Sequence, residues 1–339
     1  MSIVVAYAAI LATSPAIDVG AFAKIFGLWL AVCVRLMIIF CALWLLIRLR
    51  GMRRVDANAR PSTLLTEILA SEWRRNRLVP IVLAPILFAL TLTSFTAFKQ
   101  KILPTAGFGL DFAFGEIDRM LFFGMDPWRI THAIVPGHWG TLFLDYLYAG
   151  WITLVVGGVL LSPWYHSVLR RRYLLTFVAI FVIQGTLLAY MLPAAGPCYY
   201  QHFHGSSEYA ELMSRLYAQA SLLGGREGLM ALSGQEMLLS GHRGDDSWFA
   251  GGISAMPSLH NALAVLLACL GFNVHRRLGW ILAVYAGLIW IASIHLGWHY
   301  AIDGIVGAAV TMLIWRSTAA DQRFSNLNAV GNEPQKLPA

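Results

Sequence analysis

Apolar residues run in long stretches along this chain, parted by short polar segments, and that spacing predicts helices that cross a membrane. Crossing roughly 30 Å of hydrocarbon takes about 20 mostly apolar residues in a helix. Seven stretches fit, some only just: Lys24 to Leu49, Leu78 to Phe98, Thr141 to Trp164, Tyr173 to Leu192, Leu259 to Val274, Leu278 to Leu296 and Tyr300 to Trp315. A second pattern lies between them. From Ser207, apolar Tyr209, Leu212, Met213, Leu216, Tyr217 and Ala220 recur at helical spacing among Glu208, Glu211 and Arg215. Gly224-Gly225 breaks that run, and another amphipathic piece starts at Leu229. These segments, with the Phe- and Trp-rich stretch from Asp111 to Ile134, predict helices lying at the bilayer surface or roofing the bundle. The expected fold class is all-α: a polytopic membrane helical bundle of about seven transmembrane helices, with amphipathic interfacial helices in its outer loops. Met1 to Ile17 is apolar but lacks a basic start, which fits a packed or interfacial segment better than a cleaved signal peptide.

Composition supports the membrane reading. Of 339 residues, 58% are hydrophobic and 13% charged, about half the charged share of a soluble domain. The net charge of +7 does not point to nucleic acid, because of where the cations fall. Arg48, Arg50, Arg53, Arg54, Arg60, Arg74, Arg75 and Arg77 crowd one inter-helix loop, Arg170 to Arg172 a second, and Arg276 and Arg277 a third. That is the positive-inside bias of a bacterial-type inner-membrane protein. Placing those loops in the cytoplasm puts the N-terminus out, the C-terminus in, and the connections 99–140 and 193–258 on the periplasmic or exterior side. Arg35, inside the first apolar run, is expected to snorkel or to pair with an acid such as Asp145. Cys33, Cys41 and Cys269 sit in apolar runs and Cys198 is alone, so neither a disulfide framework nor a CxxC metal site is offered.

Candidate chemistry gathers at two span ends on that outer side. In Trp298-His299-Tyr300-Ala301-Ile302-Asp303, the histidine and aspartate are one helical turn apart. A carboxylate behind an imidazole accepts its ring N–H and frees the other nitrogen to attack or take a proton. About 40 residues earlier, Gly251-Gly252 permits close backbone approach and precedes Pro257-Ser258-Leu259-His260. Pro257 at a helix start leaves unpaired N–H groups and the positive dipole end facing the loop, a setting that favours phosphate, with the Ser258 hydroxyl as an extra donor.

Pro-Ser-x-His followed by His-x-x-x-Asp resembles the second and third motifs of the type 2 phosphatidic acid phosphatase superfamily. The resemblance covers roughly Phe95 to Trp315. It implies a six-helix phosphatase core at 78–316, preceded by an extra helix and arginine-rich loop in 1–77 and followed by a disordered cytoplasmic tail, 317–339. It also implies a phosphohistidine enzyme, with His299 as nucleophile, Asp303 as its partner and His260 as the acid that protonates the leaving oxygen. Two departures are similar to the branch of fungal inositol phosphorylceramide synthases and their bacterial relatives. Tyr190-Met191-Leu192-Pro193-Ala194-Ala195-Gly196-Pro197 stands where a lysine and Arg-Pro are usual, and Ser293 where the third motif has arginine. Phe98-Lys99-Gln100-Lys101-Ile102-Leu103-Pro104 and Asp126-Pro127-Trp128 also resemble that branch. The implied activity is transfer of a phospho-headgroup between lipids at the outer leaflet, with a lipid phosphate or phospholipid as substrate and a hydroxyl-bearing lipid as acceptor. No metal or other cofactor is expected.

Other cations must then grip the phosphate. Lys99, Lys101, Arg226, His242 and Arg243 are the candidates, with backbone amides near Gly252; the expectation is Arg243 and one of the lysines. Tyr190, Tyr148 and Trp151 are candidates to line the lipid path. Three alternatives stay open: hydrolysis of a polyprenyl or glycerolipid phosphate, a non-catalytic lipid-phosphate binding or transport protein, and a metal site on His295 and His299. The third lacks the glutamate of the His-Glu-x-x-His pattern, and His295 is expected instead to bond Tyr300, Ser293 or a loop carbonyl. His132, His138, His166, His202, His204 and His275 show no comparable pairing in the sequence.

Overall fold

The apolar runs fold as helices, and polar or glycine signals mark where each stops. A computed structural model describes residues 2–12, 17–55, 60–101, 103–243 and 252–331. Met1, residues 13–16 and 56–59, Ile102, residues 244–251 (with Gly251) and the tail 332–339 therefore lie outside the described residues. Every regular element among those described is helical. Five helices are long and apolar enough to cross a membrane: Val19–Arg54, Leu78–Ala106, His138–Leu160, Ser167–Met191 and Arg276–His295.

The other two expected spans fall short of that measure for different reasons. Leu259–Val274 is apolar but has 16 residues, about 24 Å of helix. The helix Ala301–Gly331 is long, but Asp303, Gly304, Gly307 and Arg316 dilute its apolar stretch. It also runs past Trp315, so the segment from 317 expected to be disordered begins as helix. The first helix likewise continues to Val55 and carries Arg48, Arg50, Arg53 and Arg54. Arginine is a good helix former, so the polypeptide keeps its helical bonds after leaving the apolar run.

Where the helices meet, aromatic side chains fill the space. Phe88 stacks on Phe177 and meets Trp29 edge-on, and Phe181 packs against both Phe95 and Phe177. Within Ser167–Met191 the turns widen to a π-helix from Ile180 to Leu188. There Gln184 donates to Thr311 Oγ1 at 2.9 Å, tying this helix to the last one. The N-terminal helix Ser2–Ala12 is packed, with Val4 buried and Tyr7 Oη bonded to Thr186. Arg35 is exposed on its helix, and Asp145 is engaged elsewhere. Its carboxylate accepts Met230 N–H and Ala231 N–H, capping the helix Met230–Arg243. The expected Arg35–Asp145 pair is not formed.

The amphipathic segments form a roof. Helix Ala210–Ser221 buries Leu212, Leu216 and Ala220, the residues whose spacing predicted it. Helix Asp111–Leu121 is turned the other way from a soluble helix: Asp111 and Asp118 are buried, whereas Phe112, Met120 and Leu121 are exposed. Phe123 just beyond it is 96% exposed. An outward apolar face suits the interfacial position expected for it.

Candidate active site

The site begins with a helix stop. Gly297 follows helix Arg276–His295 with φ +74°, the left-handed conformation that glycine adopts without a Cβ penalty. The N–H groups of Trp298 and His299 both return to the Ser293 carbonyl. This turn lifts His299 off the helix axis and aims the chain into the next helix. Its first amides, Ala301 N–H and Ile302 N–H, donate to the two oxygens of Asp118 at 2.6 and 2.9 Å.

His299 Nδ1 faces Asp303 Oδ2 at 3.3 Å, and the same oxygen accepts Tyr300 N–H at 3.0 Å. Asp303 is fully buried and His299 is 6% exposed. The Pro-Ser-x-His motif joins this turn through the backbone, Ser258 N–H donating to the Asp303 carbonyl at 3.1 Å. Ser258 caps helix Leu259–Val274, its hydroxyl accepting from Asn261 N and Nδ2. Asn261 also reaches Ser293 Oγ, which donates to the Trp290 carbonyl. At position 293 the side chain therefore knits the two motifs together and is fully buried. The His260 and His299 rings stand 5.9 Å apart, centroid to centroid, at 60°. His260 lies between Tyr148, stacked at 4.4 Å, and Trp151 at 4.3 Å.

Both histidines line a cavity of about 360 Å³, with Lys99 and mostly apolar walls such as Trp29, Leu92, Phe95 and Phe181. Tyr148 and Trp151 line it too. Gly252 sets how closely the following loop approaches. A Cβ there would stand 2.3 Å from the Lys99 carbonyl oxygen. Lys99 Nζ also rests 5.8 Å from the Phe95 ring.

Other sequence candidates lie elsewhere. Lys101 is exposed at the end of its helix. Arg243 is exposed and meets His202 Nδ1 at 3.3 Å, and Arg226 bonds Tyr217 and pairs with Glu236. His242 packs against Phe108 and Phe203, and burial lowers the pKa of its imidazole. Tyr190 is 45% exposed and meets Phe98 edge-on. None of these five lines the histidine cavity, so the expected pairing of Arg243 with a lysine reduces to Lys99.

Three side chains that the motifs did not reveal hold this site. Asp111, fully buried, accepts Ala195 N–H, Gly196 N–H, Tyr300 Oη–H and a contact from His204 Nε2, all at 2.9–3.0 Å. It thereby pins the Tyr190–Pro197 stretch to the His299 loop. Asp118 holds the last helix, and burial drives its carboxyl pKa up to about 7 although the two amides favour the charged form. His132, which has no partner at helical spacing comparable to that of His299, stacks on His295 at 3.9 Å, and its Nε2 reaches the His295 carbonyl. Burial lowers the pKa of His132, consistent with a neutral ring donating to a carbonyl. His295 Nε2 meets Thr141 Oγ1 at 2.8 Å, so its ring is held by Thr141 and by stacking on His132 rather than by Tyr300 or Ser293.

A family profile described as the PAP2 superfamily matches residues 113–317, a span that includes His260, His299, Asp303 and Asp118 and omits Lys99 and Asp111. No curated protein and no solved structure matches the chain.

Proposed function

The chain belongs to the PAP2 superfamily, and from that premise and the geometry at His299 we propose an integral-membrane lipid phosphatase or phosphotransferase working through a phosphohistidine. Membership of the superfamily supports a phosphatase-type activity on lipid phosphates. The observation that carries the finer reading is the pair of histidines across one cavity, one backed by a buried aspartate 3.3 Å away.

With its Nδ1–H directed at Asp303, His299 offers the Nε2 lone pair to phosphorus. A P–N bond forms while the P–O bond to the leaving group breaks, and protonated His260 gives its proton to the departing oxygen. Neutral His260 then takes a proton from water or an acceptor hydroxyl. That oxygen bonds to phosphorus, the P–N bond breaks, and both histidines return to their starting states. Charge spreads over the equatorial oxygens in such transfers, so a cation held beside them stabilises the transition state. Lys99 supplies that charge in this reading. Apolar walls beside the ammonium suit a phosphate carried on a lipid tail. The departures at Tyr190–Pro197 and Ser293 support transfer over plain hydrolysis, and the arginine-rich segments support a site at the outer leaflet of the inner membrane.

His299→Ala and Asp303→Asn are each expected to lower lipid-phosphate turnover by at least about 100-fold, the share that positioned acid–base groups contribute. A labelled phosphohistidine should be trapped in wild type and absent from His299→Ala. Turnover at the wild-type rate in His299→Ala would sink the mechanism, and purified wild type that turns over no lipid phosphate would favour a binding protein.

A further inference from the structure

His260 borders a second space. A recess of about 520 Å³ shares His260, Tyr148, Trp151 and Trp298 with the first cavity but is not lined by His299 or Lys99. It adds Asp145, Glu227 and Ser233. The division of charge is complete among the lining residues: the first cavity has Lys99 and no acid, the second has two acids and no lysine or arginine.

We propose that this recess seats the acceptor of the transfer reaction, a small water-soluble alcohol that is neutral or positively charged. The inference rests on the phosphohistidine reading above. In an in-line displacement the attacking and leaving atoms lie on opposite sides of phosphorus. With His299 on one side, the oxygen that replaces it arrives from the side of His260, which is the wall common to both spaces. The phosphoryl group stays with Lys99, because carboxylates in the recess repel an anion. An alcohol in the recess can donate to Glu227 or to the remaining lone pairs of Asp145, whose oxygens already hold Met230 N–H and Ala231 N–H. In the step itself the alcohol O–H proton passes to His260, its oxygen bonds to phosphorus, and the P–N bond to His299 breaks. Glu227 and Ser233 are exposed at the rim, which opens the recess to a solute, while Trp151, Ile152, Met230 and Met237 give it an apolar wall for the carbon skeleton.

The test follows full-length protein in lipid nanodiscs, charged with labelled dioleoyl phosphatidic acid or undecaprenyl phosphate, and measures how the label partitions between water and an added alcohol. Glycerol and ethanolamine should accept label, and lactate, an anionic alcohol of similar size, should accept about tenfold less or worse, in line with the discrimination a polar site gives. Ser233→Trp, which fills the recess from an exposed helix position, should lower the alcohol-to-water ratio by about tenfold. Glu227→Gln should narrow the preference of ethanolamine over lactate. Because a ratio within one enzyme is read, loss of folded protein does not imitate the effect. Labelled His299 with no transfer to any alcohol, an unchanged ratio in Ser233→Trp, or lactate as good as glycerol overturns the acceptor site alone. Absence of labelled His299 with both lipids overturns the phosphohistidine reading, and the acceptor site falls with it.

Discussion

Asp118 is a carboxylate whose two best hydrogen bonds are made to the first amides of the helix that carries Asp303. Those donors favour its charged form, yet burial outweighs them and leaves the pKa near 7. A folded pKa above the unfolded value of 3.8 means that the folded chain holds the proton more tightly. The resulting stabilisation is complete below about pH 3.8 and is lost as pH rises through about 7. Asp118→Asn removes the titration while keeping one acceptor oxygen. The wild-type unfolding midpoint in detergent should therefore drop more between pH 5 and pH 8 than that of Asp118→Asn; equal drops would show that Asp118 does not titrate there. Losing one capping bond should also lower the variant's stability at pH 5, by about 1 kcal/mol. The histidine motifs were legible because their spacing lies within single helical turns, where sequence distance is spatial distance. Asp111 and Asp118 were not, since a buried acid and a surface acid are written alike. Their one signal was their spacing, seven residues apart on one face of a helix whose other positions include exposed Phe112, Met120 and Leu121.

At the scale of elements, the cation of the site depends on contact between a helix end and a loop. Lys99 closes the helix Leu78–Lys101, and the Gly252 backbone, at φ +97°, lies against the Lys99 carbonyl. Gly252→Ala places a Cβ 2.3 Å from that oxygen and adds a left-handed alanine, a combined cost of about 1–3 kcal/mol. The expected outcome has two parts. Lys99→Gln should lower kcat/KM for a lipid phosphate by at least about tenfold, as loss of one charge contact to phosphate does. Gly252→Ala should show the same loss, because it moves the helix end without changing any charge. Normal kcat/KM in folded Gly252→Ala would mean that Lys99 does not need this placement. Helix existence was readable from periodicity, including Ala210–Ser221, but helix ends were not. Arg48 to Arg54 read as loop because charge ends an apolar run, although it does not end a helix. The choice of Lys99 over Lys101 and Arg243 was equally closed to the sequence, since all three are cations of the outer polar connections and only the fold brings one to the histidines.

Over the whole molecule, charge and site lie at opposite ends of the same helices. Helix Ser167–Met191 has Arg170 to Arg172 near its start, and the segment after its end packs on the His299 loop, with Cys198 N–H donating to the Gly297 carbonyl. Helix Arg276–His295 begins with two arginines and ends at the Gly297 turn. Helix Val19–Val55 has Arg53 and Arg54 in its last turn, and the next membrane-length helix starts at Leu78, just after Arg77. Translocating such clusters is disfavoured, so the arginine ends are expected on the cytoplasmic face and the histidine cavity on the other. A single exposed cysteine at each end reads this directly, once Cys33, Cys41, Cys198 and Cys269 are replaced by serine or alanine. In intact spheroplasts a membrane-impermeant maleimide should label Glu227→Cys at the recess rim and leave Arg276→Cys unlabelled. Permeabilising the membrane should then expose Arg276→Cys. The reverse order would put the phosphate chemistry on the cytoplasmic leaflet and change which pool of lipid phosphates and alcohols the site can meet, while leaving the geometry at His299 untouched.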